Sequence, residues 1–176
     1  MTTPSQTDCG QDSTAGTNET LILPGQRVRM LENFKDQDSD HAPVVKWLCP
    51  WNGALWLLTT MDPDNEDLLY GLCDLGGNGD FDLGTISRAE AEAITGVGGQ
   101  KIMPLPYFRP LATLSVYAEA ATQVESTIFG IGDLLAAYQR LAEEARKSGS
   151  PLKARLLDES GETMSFPLAM GLQAIR

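Results

Sequence analysis

The chain has few of the residues that common enzyme sites require. Its 176 residues include one histidine, His41, and three cysteines, Cys9, Cys49 and Cys73, with no CxxC spacing. One histidine cannot supply a histidine-rich metal site, and a Ser or Cys triad would have to use it. Widely spaced cysteines in odd number are typical of reduced intracellular thiols that pack as small hydrophobic side chains. We therefore expect neither an enzyme nor a cofactor.

Long apolar runs and an excess of basic residues are also missing. No run approaches the ~20 apolar residues of a membrane span, and the N-terminus lacks the basic start and apolar core of a signal peptide. Acidic residues outnumber basic ones 24 to 13, which gives a formal net charge of −11. The missing span and signal peptide lead us to expect a cytoplasmic protein without membrane contact. Because phosphate binding depends on Lys and Arg, we also expect no direct contact with nucleic acid.

Acidic residues are concentrated in residues 59–84, TTMDPDNEDLLYGLCDLGGNGDFDLG, which contain seven acids and no Lys, Arg or His. The apolar pattern within this segment predicts a folded strand flanked by acidic loops. Acids held on rigid loops can steer association with a basic protein surface, although acidity also serves solubility alone. The predicted partner-binding residues are Asp62, Asp64, Glu66, Asp67, Asp74, Asp80 and Asp82.

Trp51 is the predicted aromatic anchor of the same site. It lies within ten positions of Trp47 and Trp56 in a chain with few aromatic residues. Packing in the core is the simplest interpretation of this cluster. Trp51, however, precedes the Asn52–Gly53 turn, so we expect it to be partly exposed, and tryptophan is enriched among interface hot spots.

Hydrophobic patterning predicts an α+β fold. Residues 1–19 contain little to bury and predict a disordered tail, whereas 20–176 predict a single domain. Apolar and β-branched runs predict four strands, at 44–49, 54–61, 68–75 and 81–86. The strands should form a mainly antiparallel curved sheet of four to five strands, with the proline-rich segment 99–110 confined to an edge.

Helices are indicated by end signals and by apolar periodicity. Ser87 and Glu90 have the spacing of a capping box that begins a short helix. A second helix is expected near 114–123. The periodicity of 133–148 predicts one long helix packed on the sheet, followed by a C-terminal hairpin over 153–168 that turns at Ser160–Gly161.

Part of the acidic segment suggests calcium binding, but key positions lack the residues that a calcium loop requires. Asp62, Asp64 and Glu66 have the spacing of the first three ligands of an EF-hand loop. Asp67 replaces the required glycine of that loop, and Cys73 replaces its final glutamate. We therefore predict no metal site, and a carboxylate-based metal-binding enzyme stays an alternative.

Five motifs occur in a fixed order between residues 43 and 121. They are Trp-Leu-Leu-Thr at 56–59, Asp-Pro with a later Asp at 62–67, Gly-Leu-Cys-Asp-Leu-Gly at 71–76, Leu-Gly with a later Ser at 83–87, and Leu-Ser with Tyr-Ala at 114–118. In these motifs the chain resembles the domain of unknown function 2958 family. Residues 122–176, the predicted helix and hairpin, are an extension beyond that family-like core.

The resemblance implies an accessory protein of a mobile genetic element, because the family is associated with plasmids, integrative elements and phages. It offers no catalytic residues to transfer to this sequence. Together with the acidity, it suggests a counter-defence inhibitor of the anti-CRISPR or anti-restriction type, which occludes or imitates DNA on the basic surface of a host complex. An accessory subunit of a plasmid or phage transfer or replication apparatus is a further alternative.

Overall fold

The computed structural model describes residues 20–76, 80–123 and 129–164, so the predicted tail and the end of the predicted hairpin lie outside the described residues. These residues form an α+β fold with a curved, unclosed sheet of five antiparallel strands and four helices, which confirms the predicted fold class. In chain order the elements are α1 Pro24–Lys35, β1 Val45–Leu48, β2 Leu55–Met61, β3 Leu68–Asp74, β4 Asp82–Ser87, α2 Arg88–Ala93, β5 Met103–Pro104, α3 Leu114–Ala121 and α4 Ile131–Ser148.

Strand β2 lies at the centre of the sheet. The strand order is β4-β3-β2-β1-β5, and the proline-rich segment supplies the short edge strand β5, as predicted. In β2 every residue except Thr60 is buried. Its nearly continuous apolar run is what a strand covered on both faces requires, because neither face meets water.

Helices cover both faces of this sheet. On one face Leu55 and Leu57 of β2 share a hydrophobic cluster with residues of α3 and with Leu134 of α4. On the other face Trp56 and Leu58 share a second cluster with α1 and α2. The predicted long helix therefore belongs to the hydrophobic core.

The segment after α4 is fastened to the start of α3 by backbone hydrogen bonds. The Thr113 amide donates to the Arg155 carbonyl at 3.0 Å, and the Leu157 amide donates to the Leu111 carbonyl at 2.8 Å. The chain then turns back at the predicted position, where Leu157 pairs with Thr163. Residues beyond the family-like core thus complete the fold around α3.

A β-bulge at Thr59 changes which side chains β2 presents. Leu58 pairs with Gly71 and Thr60 pairs with Tyr70, so Thr59 is an additional residue in β2. Its carbonyl accepts a hydrogen bond from the Asn33 side chain at 2.9 Å. Because directly paired residues share a face, Thr60 and Tyr70 lie together on the α3 side of the sheet.

Gly71 of β3 lies close to the backbone of β2. A Cβ atom at Gly71 would overlap the carbonyl oxygen of Leu57 and lie 2.8 Å from the Cα atom of Leu58. Its neighbour across the β3–β4 pair, Gly84, has open space at the same position. Packing therefore requires glycine at Gly71 but not at Gly84.

We predict that Gly71→Ala destabilises the protein by about 3 kcal/mol or more, because the clash involves backbone that cannot rotate away. Gly84→Ala is the matched control and should change the free energy of unfolding by at most about 1 kcal/mol. Chemical denaturation of both variants measures these values. Equal stability of the two variants would contradict the close approach.

Candidate functional site

Strand β3 separates the predicted partner-binding acids into two groups. Asp62, Asp64, Glu66 and Asp67 precede β3, whereas the other three acids lie at or beyond its far end. At about 3.3 Å per residue the strand holds the groups roughly 20 Å apart. The acids therefore form two separate groups, of which we name the first the acidic turn (residues 62–67) and the exposed members of the second the distal acids (Asp80 and Asp82).

Asp74 was predicted as a partner-binding residue, but the structure contradicts this because the residue is 0% exposed. It ends β3 beside Leu55, inside the sheet. A buried carboxylate is retained for interactions within the fold. The pKa of the half-buried Cys73 thiol is raised mainly by burial and further by the charges of Asp82 and Asp74. Asp80 and Asp82 are exposed.

Hydrogen bonds inside the acidic turn fix its backbone. Asp62 Oδ1 accepts the Asp64 amide at 2.8 Å and the Asn65 amide at 3.4 Å. Glu66 forms an ion pair with Arg27 of α1, which lowers the pKa of Glu66. Asp62 and Glu66 therefore both have structural roles in the turn.

Asp67 holds the start of helix α2. Its carboxylate accepts the Ser87 hydroxyl at 2.7 Å and the Ala89 amide at 2.7 Å, and both bonds lower the pKa of Asp67. The predicted capping box is half correct, because Ser87 Oγ accepts the Glu90 amide at 3.1 Å. Asp67 accepts a different helix-end amide, that of Ala89, from a position 22 residues earlier, and no local motif shows this contact.

Asp64 is the least constrained acid of the turn. It is exposed, and within the described residues its carboxylate forms no hydrogen bond or ion pair. Trp51 is half-buried, as predicted, and its ring lies against Gly96, where a Cβ atom would overlap it. Much of this predicted anchor is therefore used in packing.

A cleft of about 410 Å³ opens beside the acidic turn. Thr60, Tyr70 and Thr85 line it from the sheet, and Asp62 lines it from the turn. Another part of its wall is Gln37, Ser39, Asp40 and His41. They belong to residues 36–41, DQDSDH, which we name the acidic loop. The sequence alone did not predict a role for this loop, although its acids at alternate positions are a pattern that could have indicated one.

The acidic loop is anchored to helix α3. Asp40 Oδ1 accepts the Ser115 amide at 3.2 Å, and Asp40 Oδ2 accepts the Ser115 hydroxyl, so Asp40 caps α3. His41 Nε2 donates to the Asp36 carbonyl at 2.6 Å, and Arg155 donates to the Asp40 carbonyl at 2.8 Å. The loop is therefore held in place beside the cleft.

The charges around the cleft limit what it can bind. The lining contains the carboxylates of Asp40 and Asp62 and no Lys or Arg among the residues that the structure describes. Two carboxylates without a Lys or Arg beside them disfavour an anionic ligand, so the cleft suits a neutral or cationic group. In the described part of the chain, no three His, Cys, Asp or Glu side chains are grouped so that they could hold a metal.

We expect Ca²⁺, Mg²⁺ and Mn²⁺ to leave the melting temperature unchanged. A site saturated at a hundredfold excess over Kd would add about 2.7 kcal/mol of stability. Thermal melting with each ion and with EDTA measures this. A rise with one ion would support the carboxylate-based alternative.

The pH dependence of stability should reveal the role of Asp67. Because the folded pKa of Asp67 is lowered, its stabilising effect is complete above the unfolded pKa of about 3.9 and is lost as the pH falls through the folded value. Asp67→Asn should therefore lower the melting temperature at about pH 6 and lower it less below about pH 3.

Asp64→Asn removes the same charge from a carboxylate without a described hydrogen bond, so it should change the melting temperature little at either pH. If Asp67→Asn lowered the melting temperature by the same amount at both pH values, the ionised carboxylate of Asp67 would not contribute to stability.

No helix among the described residues has the length and apolarity that a membrane span requires. No curated protein and no solved structure matches the chain. The model of one family, described as protein of unknown function (DUF2958), matches residues 21–129. This match is longer than the resemblance over 43–121 and covers more than half of the 176 residues. The chain therefore belongs to the DUF2958 family.

Proposed function

We propose that this protein is a non-enzymatic binding module that engages a basic surface of another protein through its acidic turn and acidic loop. The observation that carries the proposal is the placement of these two segments, distant in sequence, on the walls of one cleft. The backbone of the acidic turn is fixed by hydrogen bonds within the turn, and the acidic loop is held by hydrogen bonds to α3. Fixed loops lose little conformational entropy on binding, which favours affinity.

Electrostatics supports the same conclusion. Asp38 in the loop and Asp64 in the turn are exposed, and neither side chain bonds to another described residue. The formal net charge of −11 adds a long-range attraction for a basic partner. Such attraction raises association rates and weakens as salt is added.

The partner class that best fits this charge is a nucleic-acid-binding surface of a host defence complex. The association of the family with mobile elements supports this choice, and so does an acidic surface that could occlude or imitate DNA. In this proposal the protein acts as a counter-defence inhibitor in the cytoplasm. The distal acids, Asp80 and Asp82, would contact only a partner large enough to reach both ends of β3.

We predict that Asp38→Lys with Asp64→Lys reduces partner capture from host lysate about tenfold, because two attractive contacts become repulsive. Tagged protein, salt-stepped elution and quantitative mass spectrometry measure the capture. These two acids are chosen because neither holds a turn or a helix end. Reversing Asp62 or Asp67 would disturb the fold as well as the charge.

Glu159→Lys with Glu162→Lys is the matched control, since it makes the same charge change at exposed positions of the C-terminal turn. It should leave capture unchanged. An equal loss of capture in both double variants would mean that net charge alone explains the effect. No loss of capture in either variant would exclude partner binding by the acidic turn and acidic loop. A partner captured only from cells that carry the mobile element would favour the accessory-subunit alternative.

A further inference from the structure

The cleft combines aromatic, apolar and polar side chains in one recess. Phe34, Leu68 and Tyr70 contribute apolar surface, and Thr60 and Thr85 contribute hydroxyl groups. Its volume of about 410 Å³ lies within the usual range of pockets that enclose a specific ligand group. The recess can therefore enclose a side chain as well as receive a charge at its rim.

Asp62 gives this recess a directed negative charge. Its Oδ1 atom accepts the two backbone amides of the acidic turn. Its Oδ2 atom accepts no hydrogen bond from a described residue, although the residue lines the cleft. Asp40 differs, because both of its oxygens are bonded to Ser115. One carboxylate oxygen at the cleft is thus available to a donor from outside.

The aromatic side chains favour a particular kind of cation. Tyr70 is 43% exposed although it lies on a sheet, and Phe34 lines the same recess. Aromatic faces attract cations, and arginine does so more often than lysine. The planar guanidinium can stack on a ring while it donates to a carboxylate, whereas the ammonium of lysine is compact and strongly hydrated.

We propose that the cleft receives an arginine side chain of the protein partner, with its guanidinium donating to Asp62 Oδ2 and stacking on Tyr70. This inference rests on the proposed function, because it names the group by which the basic partner is held. The long-range charge guides the encounter, and the cleft selects the side chain.

The test uses N-acetyl-arginine methylamide as the probe, followed in the full chain by ¹H–¹⁵N chemical-shift mapping. Saturable shifts should cluster at Thr60, Tyr70 and Thr85. The neutral isostere N-acetyl-citrulline methylamide should bind about tenfold more weakly, because it cannot form the charged hydrogen bond. Scattered shifts, or equal binding of the two probes, would overturn the proposal.

Asp62→Asn separates charge from folding. The amide keeps an oxygen that can accept the Asp64 and Asn65 amides, so the turn is retained while the charge is lost. We expect arginine-probe binding to weaken about tenfold. Asp158→Asn is the matched control, because Asp158 holds the C-terminal turn in the same way, accepting the Ser160 amide at 2.8 Å. This control should bind the probe as the wild type does.

Tyr70→Leu tests the stacking. It keeps an apolar side chain of similar reach and should weaken binding of the arginine probe about threefold, with little effect on the citrulline probe. If partner capture depends on Asp38 and Asp64 but the arginine probe does not bind in the cleft, the arginine proposal is wrong and the proposed acidic surface stands. If the probe binds as described and capture is indifferent to those acids, the arginine site stands and the proposed acidic surface fails.

Discussion

The burial of strand β2 on both faces is the constraint on which the rest of the structure depends. Its side chains belong alternately to two hydrophobic clusters, so a shift of this strand would disturb both helical layers at once. The close approach at Gly71 leaves no room for a Cβ atom between β3 and the backbone of β2. The bulge at Thr59 then changes the alternation, which places Thr60 and Tyr70 together at the cleft.

Part of the acidity has a structural purpose. Asp67 binds the start of α2, and Asp40 binds the start of α3, and each aspartate comes from a segment distant in the sequence. A carboxylate at a helix N-terminus is stabilised by unpaired amides and by the helix dipole. Both aspartates therefore connect a loop to a helix, and the same contacts hold the acidic turn and the acidic loop beside the cleft.

Much of the fold could be predicted from local pattern, but little of the site could. The apolar run of β2 and the periodicity of α4 show their burial directly, so both elements were placed correctly. Helix α1 gives only a weak local signal, because it buries only Met30 and has little amphipathic pattern. The burial of Asp74 and the meeting of the acidic turn with the acidic loop depend on tertiary contacts, which no window of sequence contains.

The two faces of the sheet differ in their relation to the matched family segment, residues 21–129. Every residue of the buried cluster beneath α1 and α2 lies within that segment. The opposite cluster draws Leu134 and Leu156 from outside it. A family member with another C-terminus must cover this second face differently, so the face is free to diversify. The lining of the cleft runs only from Phe34 to Leu114, so every lining residue lies within the matched segment, although Arg155 of the extension helps to hold Asp40.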